Sequence, residues 1–265
     1  MRDGKLLAAV VSVMMCLGGT ALAEDEAELG FEMTADFFNK YIWRGQNVVD
    51  DWVYQPSAAV SYGGLTASFW GNLDMTDENG SNGEFSEIDL TLDYSGQFPG
   101  IDILEYSLGM INYDFPVNGS GDDTTEVYAG LSLDVPASPS VTFYRDVDET
   151  GDGLYISFGA GHSFEDVFEL GPDTPVGVDI GATLGWGNTA YNKFYWGAAP
   201  DGGTIGGEMN DLVLSVGFPF ELAGLSFTAG VNYITLMGDD IRKTDAYGRS
   251  KDDNIVAGIG FSAGF

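Results

Sequence analysis

Apolar and polar residues alternate along most of this chain with a period of two. The last twelve positions show it most simply: Ile255, Ala257, Ile259, Phe261, Ala263 and Phe265 alternate with Asn254, Val256, Gly258, Gly260, Ser262 and Gly264. Such a period sends successive side chains to opposite faces of a strand. The same pattern predicts a first strand from Phe31 to Trp43. Phe31, Met33, Ala35, Phe37, Tyr41 and Trp43 share one face, and Glu32, Thr34, Asp36, Phe38, Lys40 and Ile42 share the other. Ten further strands are centred on Val60, Ala67, Leu90, Leu108, Ala129, Val141, Ile156, Ala182, Leu214 and Ala229. Pro56, which lacks a ladder donor, suggests a bulge in the second. No 3.6-residue period competes with these assignments.

The connections differ by parity. Odd-to-even links are long and acidic: 45–51, 75–84, 114–124, 146–153, 187–208 and 237–252. Even-to-odd links are mostly shorter, at 63–64, 95–101, 136–139 and 219–224, with 165–175 the longest. Short turns on one rim and long loops on the other match a bacterial transmembrane barrel with both termini in the periplasm. The expected fold is therefore all-β: a transmembrane antiparallel up-and-down β-barrel of about 12 strands. In it, the strand 254–265 pairs with the strand 31–43 and closes the barrel. Phe261 and Phe265 are then the candidate assembly signal, read by a barrel-assembly machinery that recognises a terminal aromatic strand. The remaining reading of that strand is the edge of a soluble sandwich.

Composition sharpens this. A basic head (Arg2, Lys5), an apolar run from Leu6 to Leu17 and the small-residue site Ala21-Leu22-Ala23 predict a secretory signal peptide over 1–23, leaving 24–265 as the barrel. The one cysteine, Cys16, lies inside that segment, so the exported chain has no disulfide. The whole chain carries −31 and the leader +1 from Arg2, Lys5 and Asp3, leaving −32 on residues 24–265. That charge excludes nucleic acid as a partner, because phosphate binding needs a cationic face. With 44% hydrophobic residues the chain is not an acidic disordered segment either. The expected location is the cell outer membrane, with lipid and lipopolysaccharide as surroundings and small solutes as cargo.

A family resemblance rests on Asn39-Lys-Tyr-Ile-Trp-Arg-Gly45, Gln55-Pro56, Phe69-Trp-Gly-Asn72, Glu126-Val-Tyr-Ala-Gly-Leu131 and Tyr155-Ile-Ser-Phe-Gly-Ala-Gly-His-Ser-Phe164. Together these segments resemble the TorF-type porin family, in which an aromatic-x-aromatic-Arg-Gly segment ends the first strand. Lys40 stands where that pattern has Asp. The resemblance implies a barrel and a pore, with no substrate attached to it.

Strand parity assigns the lumen Asp36, Lys40, Arg44, Glu87, Asp89, Asp93, Glu105, Glu126, Asp179 and Asp211, and Glu32 near the rim. Acids outnumber bases nine to two in that set. A carboxylate-lined pore concentrates cations; a plugged interior with solvated charges is the competing reading. Arg44 reads as a constriction charge or as a structural partner for Asp36, Asp74 or a neighbour. Asp146, Asp148 and Asp152 have the spacing of half a calcium loop, but Ser157 stands where the bidentate Glu is needed, so a solvated loop is the better reading. The dense acidic loops suit divalent ions between lipopolysaccharide phosphates. No cofactor is expected. His162 beside Ser163 lacks the His-x-Ser spacing of barrel lipases, and Ala160 replaces the Asp that an omptin-like protease needs. The aromatic connection 187–208 suits an inward constriction, a sugar platform or an extension of its strands. The expected activity is passive diffusion of small solutes with a weak cation preference; the alternatives are a non-conducting structural or adhesive barrel and a lipid-acting barrel enzyme.

Overall fold

The computed structural model describes residues 28–118, 123–244 and 251–264. The expected leader 1–23, with Cys16, and the terminal Phe265 lie outside these described residues. The strands are β1 (Gly30–Phe38), β2 (Tyr41–Trp43), β3 (Gln46–Val49), β4 (Val53–Tyr62), β5 (Leu65–Asp74), β6 (Phe85–Phe98) and β7 (Ile101–Asp114). They continue as β8 (Thr124–Leu133), β9 (Ser140–Asp146), β10 (Leu154–Gly171), β11 (Thr174–Gly187), β12 (Glu208–Leu222), β13 (Leu225–Leu236) and β14 (Asp253–Gly264). One helix, α1, spans Thr189–Tyr195. All strands except β2 and β3 form one closed antiparallel barrel, each neighbour in sequence order, with β14 returning to β1. Closure leaves no sheet edge, which in lipid removes a row of unpaired backbone groups worth several kcal/mol each.

Period-two patterning explains which side faces out. Met33, Leu90, Leu92, Leu108, Met110, Leu131, Phe143, Phe158, Ile180, Leu214 and Ile259 all stand exposed on the outer face. Near the short turns this face carries aromatic groups: Tyr94 and Phe98 against Tyr106, and Phe220 stacked on Phe227, which meets Phe261. Near the long loops, Phe37 packs on Tyr54 and Phe69 on Phe85. An apolar band between two aromatic girdles is the exterior of a membrane-spanning barrel.

Three expectations need correcting. The first strand stops at Phe38, not Trp43, and residues 41–49 form a separate hairpin, β2–β3, outside the barrel ladder. The link 165–175 is not a long turn: β10 and β11 continue through a register irregularity between Phe164 and Phe168 to a tight turn at Pro172-Asp173. Pro56 makes no bulge. Ladder pairing with β5 lapses between Tyr54/Leu73 and Ser57/Trp70 without a register shift, and the Gln55 Nε2 donates to Asn72 Oδ1 at 2.8 Å across the gap.

The seam is as anticipated. β1 and β14 pair from Glu32/Gly264 to Phe38/Gly258. Glycine is required at its middle, because a Cβ on Gly258 would strike the Phe37 carbonyl oxygen and the Phe38 ring, and one on Gly260 would strike the Asp36 carboxylate. Gly258→Val should therefore weaken the folded barrel by on the order of 1–3 kcal/mol, read as a lower guanidinium midpoint and less of the heat-modifiable gel form. An unchanged midpoint would show that the seam has slack.

Candidate functional site

The lumen site is organised by the tip of the β2–β3 hairpin. Trp43 pairs with Gln46, so Arg44 and Gly45 form a two-residue turn, and both have positive φ, 45° and 82°. That is the primed hairpin turn, whose twist suits paired strands. Arginine is an uncommon choice in the left-handed region and carries strain of about 1 kcal/mol or more there. Gly45 is needed as well, since a Cβ there would meet Leu236 and Asp211.

Arg44 repays this strain through contacts on the far wall. Its Nη1 and Nη2 donate to Glu126 Oε1 and Oε2, each at 2.7 Å. Tyr113 Oη donates to Glu126 Oε2 at 2.9 Å. The guanidinium carbon lies 4.3 Å from the Tyr155 ring centre, 4.6 Å from those of Trp43 and Tyr144, and 5.7 Å from that of Tyr191. Both charged side chains are essentially inaccessible, at 0% and 1%. A planar guanidinium meets a carboxylate through two parallel bonds and stacks on rings, which lysine cannot do.

The hairpin's root is apolar. Tyr41, Ile42 and Val49 pack with Phe38, Val53, Ile234 and Val256 into a buried cluster under the β1, β4, β13 and β14 wall. From there the hairpin reaches β8, which is five strands from β1 in one direction and seven in the other. It therefore spans the bore almost diametrically. Sequence parity had placed Arg44 at the outer end of the first strand, with Asp36 or Asp74 as partners; its partner is Glu126, and its position is a plug tip. Lys40 likewise sits in the link ahead of β2 and bonds Asp50, not the bore.

On the loop side, α1 and its neighbours pack over this hairpin. Asn188 caps α1 by accepting from the Tyr191 amide at 2.8 Å, and it also accepts from the Leu154 amide. Tyr191 is thereby held between Tyr155 and Tyr195, and Tyr195 against Trp43. A second apolar cluster of Trp196, Ala199, Ile205, Leu236 and Ile241 lies beside it. The connection 187–208 packs inward against the hairpin and does not extend its strands, which end at Gly187 and resume at Glu208. Lys40 and Lys251 both bond Asp50, tying two loops together. Burial pushes the Asp50 carboxyl up, but those lysines and Asn47 outweigh it and hold it well below the usual carboxylate range. A depressed folded value means this tether is intact above the ordinary carboxylate pKa of about 4 and loosens only as pH falls through the depressed value.

The other candidate residues are not brought to one point. Asp211 accepts from Tyr155 at 2.8 Å, Asp93 from Tyr128 at 2.6 Å, and Glu105 from Ser132 at 3.2 Å. Glu87 and Asp89 are buried on β6, and Asp36 lies at the seam beside Gly260. Among the described residues, buried acids number eight (Asp74, Glu87, Asp89, Asp93, Glu126, Asp146, Asp179, Asp211) against one buried base, Arg44.

The half calcium loop does not assemble. Asp146 accepts from Thr124 and from the amides of Asp148 and Thr150, while Asp152 pairs with Arg145 at 3.0 Å. Among the described residues no group of three His, Cys, Asp or Glu converges as a metal site. His162 is exposed, edge-on to Phe164. Ser163 faces the opposite side by strand parity, so the two do not form a nucleophile pair.

No family model matches the chain, and no curated protein matches it. Among solved structures it is similar to the NanC porin, at 14% identity and a TM-score of 0.47, over 88% of this chain and 98% of that one. It is also similar to an outer membrane channel from Pseudomonas putida F1, at 11% identity and 0.43, over 95% and 100% of the two chains. The DcaP outer membrane channel of Acinetobacter baumannii matches at 11% and 0.35, over 92% and 98%. Similarity this low carries nothing about the site, which has to be read from its own residues.

Replacing Glu126 by Gln should leave Arg44 buried without a counter-charge and cost about 3–5 kcal/mol. Amide exchange should then rise across 41–49 while the barrel strands keep their protection. The Arg44→Met/Glu126→Leu pair should cost less than the two single changes added together.

Proposed function

We propose that this chain is a porin-like outer-membrane channel for small solutes that prefers cations, with its conductance held low by the β2–β3 hairpin. The observation that carries this reading is the charge of the interior. Eight carboxylates are buried among the described residues, the only buried base is spent on one of them, and the walls are a membrane-facing barrel. Fixed negative charge in a low-dielectric bore attracts cations and repels anions. The hairpin sets the free cross-section, because it crosses from one wall to the other.

The outer membrane is the location that fits a strand-built span, and lipid with lipopolysaccharide is the surrounding that fits its apolar band and acidic loops. Phe261 on β14 and the chain's final Phe265 remain the expected contact for a barrel-assembly machinery. A second reading has its own observation. The buried apolar cluster at the hairpin root fills part of the lumen, which suits a non-conducting structural barrel.

Planar-bilayer recording separates the two. The channel reading expects small conductance steps whose reversal potential in a KCl gradient reports cation preference. Neutralising Glu87, Asp89 and Asp93 to the amides should bring the K+/Cl− permeability ratio toward one, and Glu126→Gln should enlarge the step by freeing the hairpin. No steps from wild type and Glu126→Gln alike would make the barrel a structural one, and an anion preference would refute the charge argument.

A further inference from the structure

Four adjacent strands bring oxygen-bearing side chains together on the lumen face, on the turn side of the plug. Asp179 on β11 stands opposite Ser163 on β10 and Gly217 on β12. Two residues along β12, Ser215 stands between Gly181 on β11 and Asn232 on β13. Directly opposed residues on one sheet face lie about 4.5–5.5 Å apart and diagonal ones about 7–8 Å. Gly181, Gly217 and Gly230 occupy the intervening positions and place no side chain there. The Asp179 carboxylate, the Ser215 hydroxyl and the Asn232 amide therefore border one glycine-floored hollow, with Ser163 at its exposed edge.

Two of these groups are anomalous. Asp179 is 2% exposed, and neither of its carboxylate oxygens meets hydrogen-bond geometry. Asn232 is 1% exposed, and both its amide oxygen and its amide nitrogen are unpartnered. Four other buried acids have a partner: Glu126 has Arg44, Asp211 has Tyr155, Asp93 has Tyr128 and Asp74 has Ser81 at 2.6 Å; Asp89 lacks one on Oδ1 alone, whereas Asp179 lacks one on both oxygens. Buried polar groups in native proteins have partners, and a bare buried charge is costlier than a bare dipole. The buried arginine is already committed to Glu126 on β8.

We propose that Asp179, Ser215 and Asn232, with Ser163 at the edge, form a binding site for a monovalent alkali cation. All the donors are hard oxygens, the type that suits such ions. One carboxylate balances one monovalent charge, whereas calcium sites draw on several carboxylates in a fuller cage. The spacing across three strands suits an ion that keeps part of its water, bound directly on Asp179 and Ser215 and through a water on Asn232. This site rests on the reading of the lumen as a cation path, and it names a place where the ion pauses.

Sodium-23 NMR of the folded, detergent-solubilised protein tests it, with sodium titrated and potassium added as competitor. Wild type should show saturable excess line width that potassium displaces. Asp179→Asn should weaken sodium binding by about tenfold, the scale of one lost charge-assisted contact, and Asn232→Leu should weaken it by less. Glu105→Gln removes the same charge from elsewhere in the lumen and should leave binding near wild type. Absence of saturable binding in wild type overturns the site, as does a loss in Glu105→Gln equal to that in Asp179→Asn. If Asp179→Asn does not fold, the wild-type titration and Asn232→Leu still decide. Bilayer recording of the same samples keeps the two readings apart: sodium binding lost in Asp179→Asn by a protein that never conducts sinks the channel and keeps the site, while cation-selective conductance without a sodium site sinks the site alone.

Discussion

The Arg44–Glu126 contact fixes the interior because both partners have been removed from water where the hairpin tip meets the β8 wall. Stripping an arginine and a carboxylate of solvent costs several kcal/mol for each ion. Two 2.7 Å bonds, a third from Tyr113 and the faces of Trp43, Tyr144, Tyr155 and Tyr191 offset it. A desolvated cation–π contact contributes on the order of 2 kcal/mol, less than the several kcal/mol lost by each ion, so the ring cage acts as a set. The hairpin cannot shift register without losing all of these at once. Its left-handed tip at Arg44 is held by what it touches, since the local sequence alone would favour glycine or asparagine there.

From that contact two halves of the lumen follow. On the loop side, the hairpin root is an ordinary apolar core, with Ile42, Val49, Val53 and Val256 almost wholly excluded from solvent. On the turn side, the wall is carboxylate, hydroxyl, amide and glycine. The outer surface shows no such division, because lipid asks the same of every strand. A barrel of this size thus has one exterior chemistry and two interior ones, and the boundary between them is set by how far 41–49 reaches inward.

This boundary is where the sequence stops being readable. Strand faces were legible because lipid and lumen impose opposite demands at every second residue, and the closing pair β1–β14 followed from that alone. The inner hairpin was not. Tyr41 and Trp43 continue the alternation of Phe37, so periodicity reads one long strand through Asn39-Lys40 where the chain leaves the wall. The turn signal was weakened by Arg44 standing where Asn or Asp is usual. Glu126 lies 82 residues away, and no local pattern selects it over the other inward acids. The extension of β10 was hidden for a different reason: Glu165, Asp166 and Glu169 look like a loop, yet beyond the apolar band both faces of a strand meet water.

The unequal charge inside bears on whether such a barrel can be dry. Among the described residues, one buried base against eight buried acids leaves most of them without a protein cation. Hydroxyl donors from Tyr113, Tyr128, Tyr155, Ser81 and Ser86 satisfy lone pairs, but they do not cancel charge. Repulsion among carboxylates lining one narrow barrel, weakly screened by low-dielectric surroundings, grows with each further ion. The interior has three ways to bear it: protonation, water or mobile cations. Protonation would remove the negative field along with the repulsion, and a sequence with no use for that field has no reason to place acid rather than serine or asparagine at Glu87, Asp89, Asp93 and Asp179. Water and cations relieve the repulsion and keep the field, and both require an aqueous path to the wall beside the hairpin. On the channel reading proposed above, an acidic lumen braced by Arg44 is a narrow wet passage rather than a filled core.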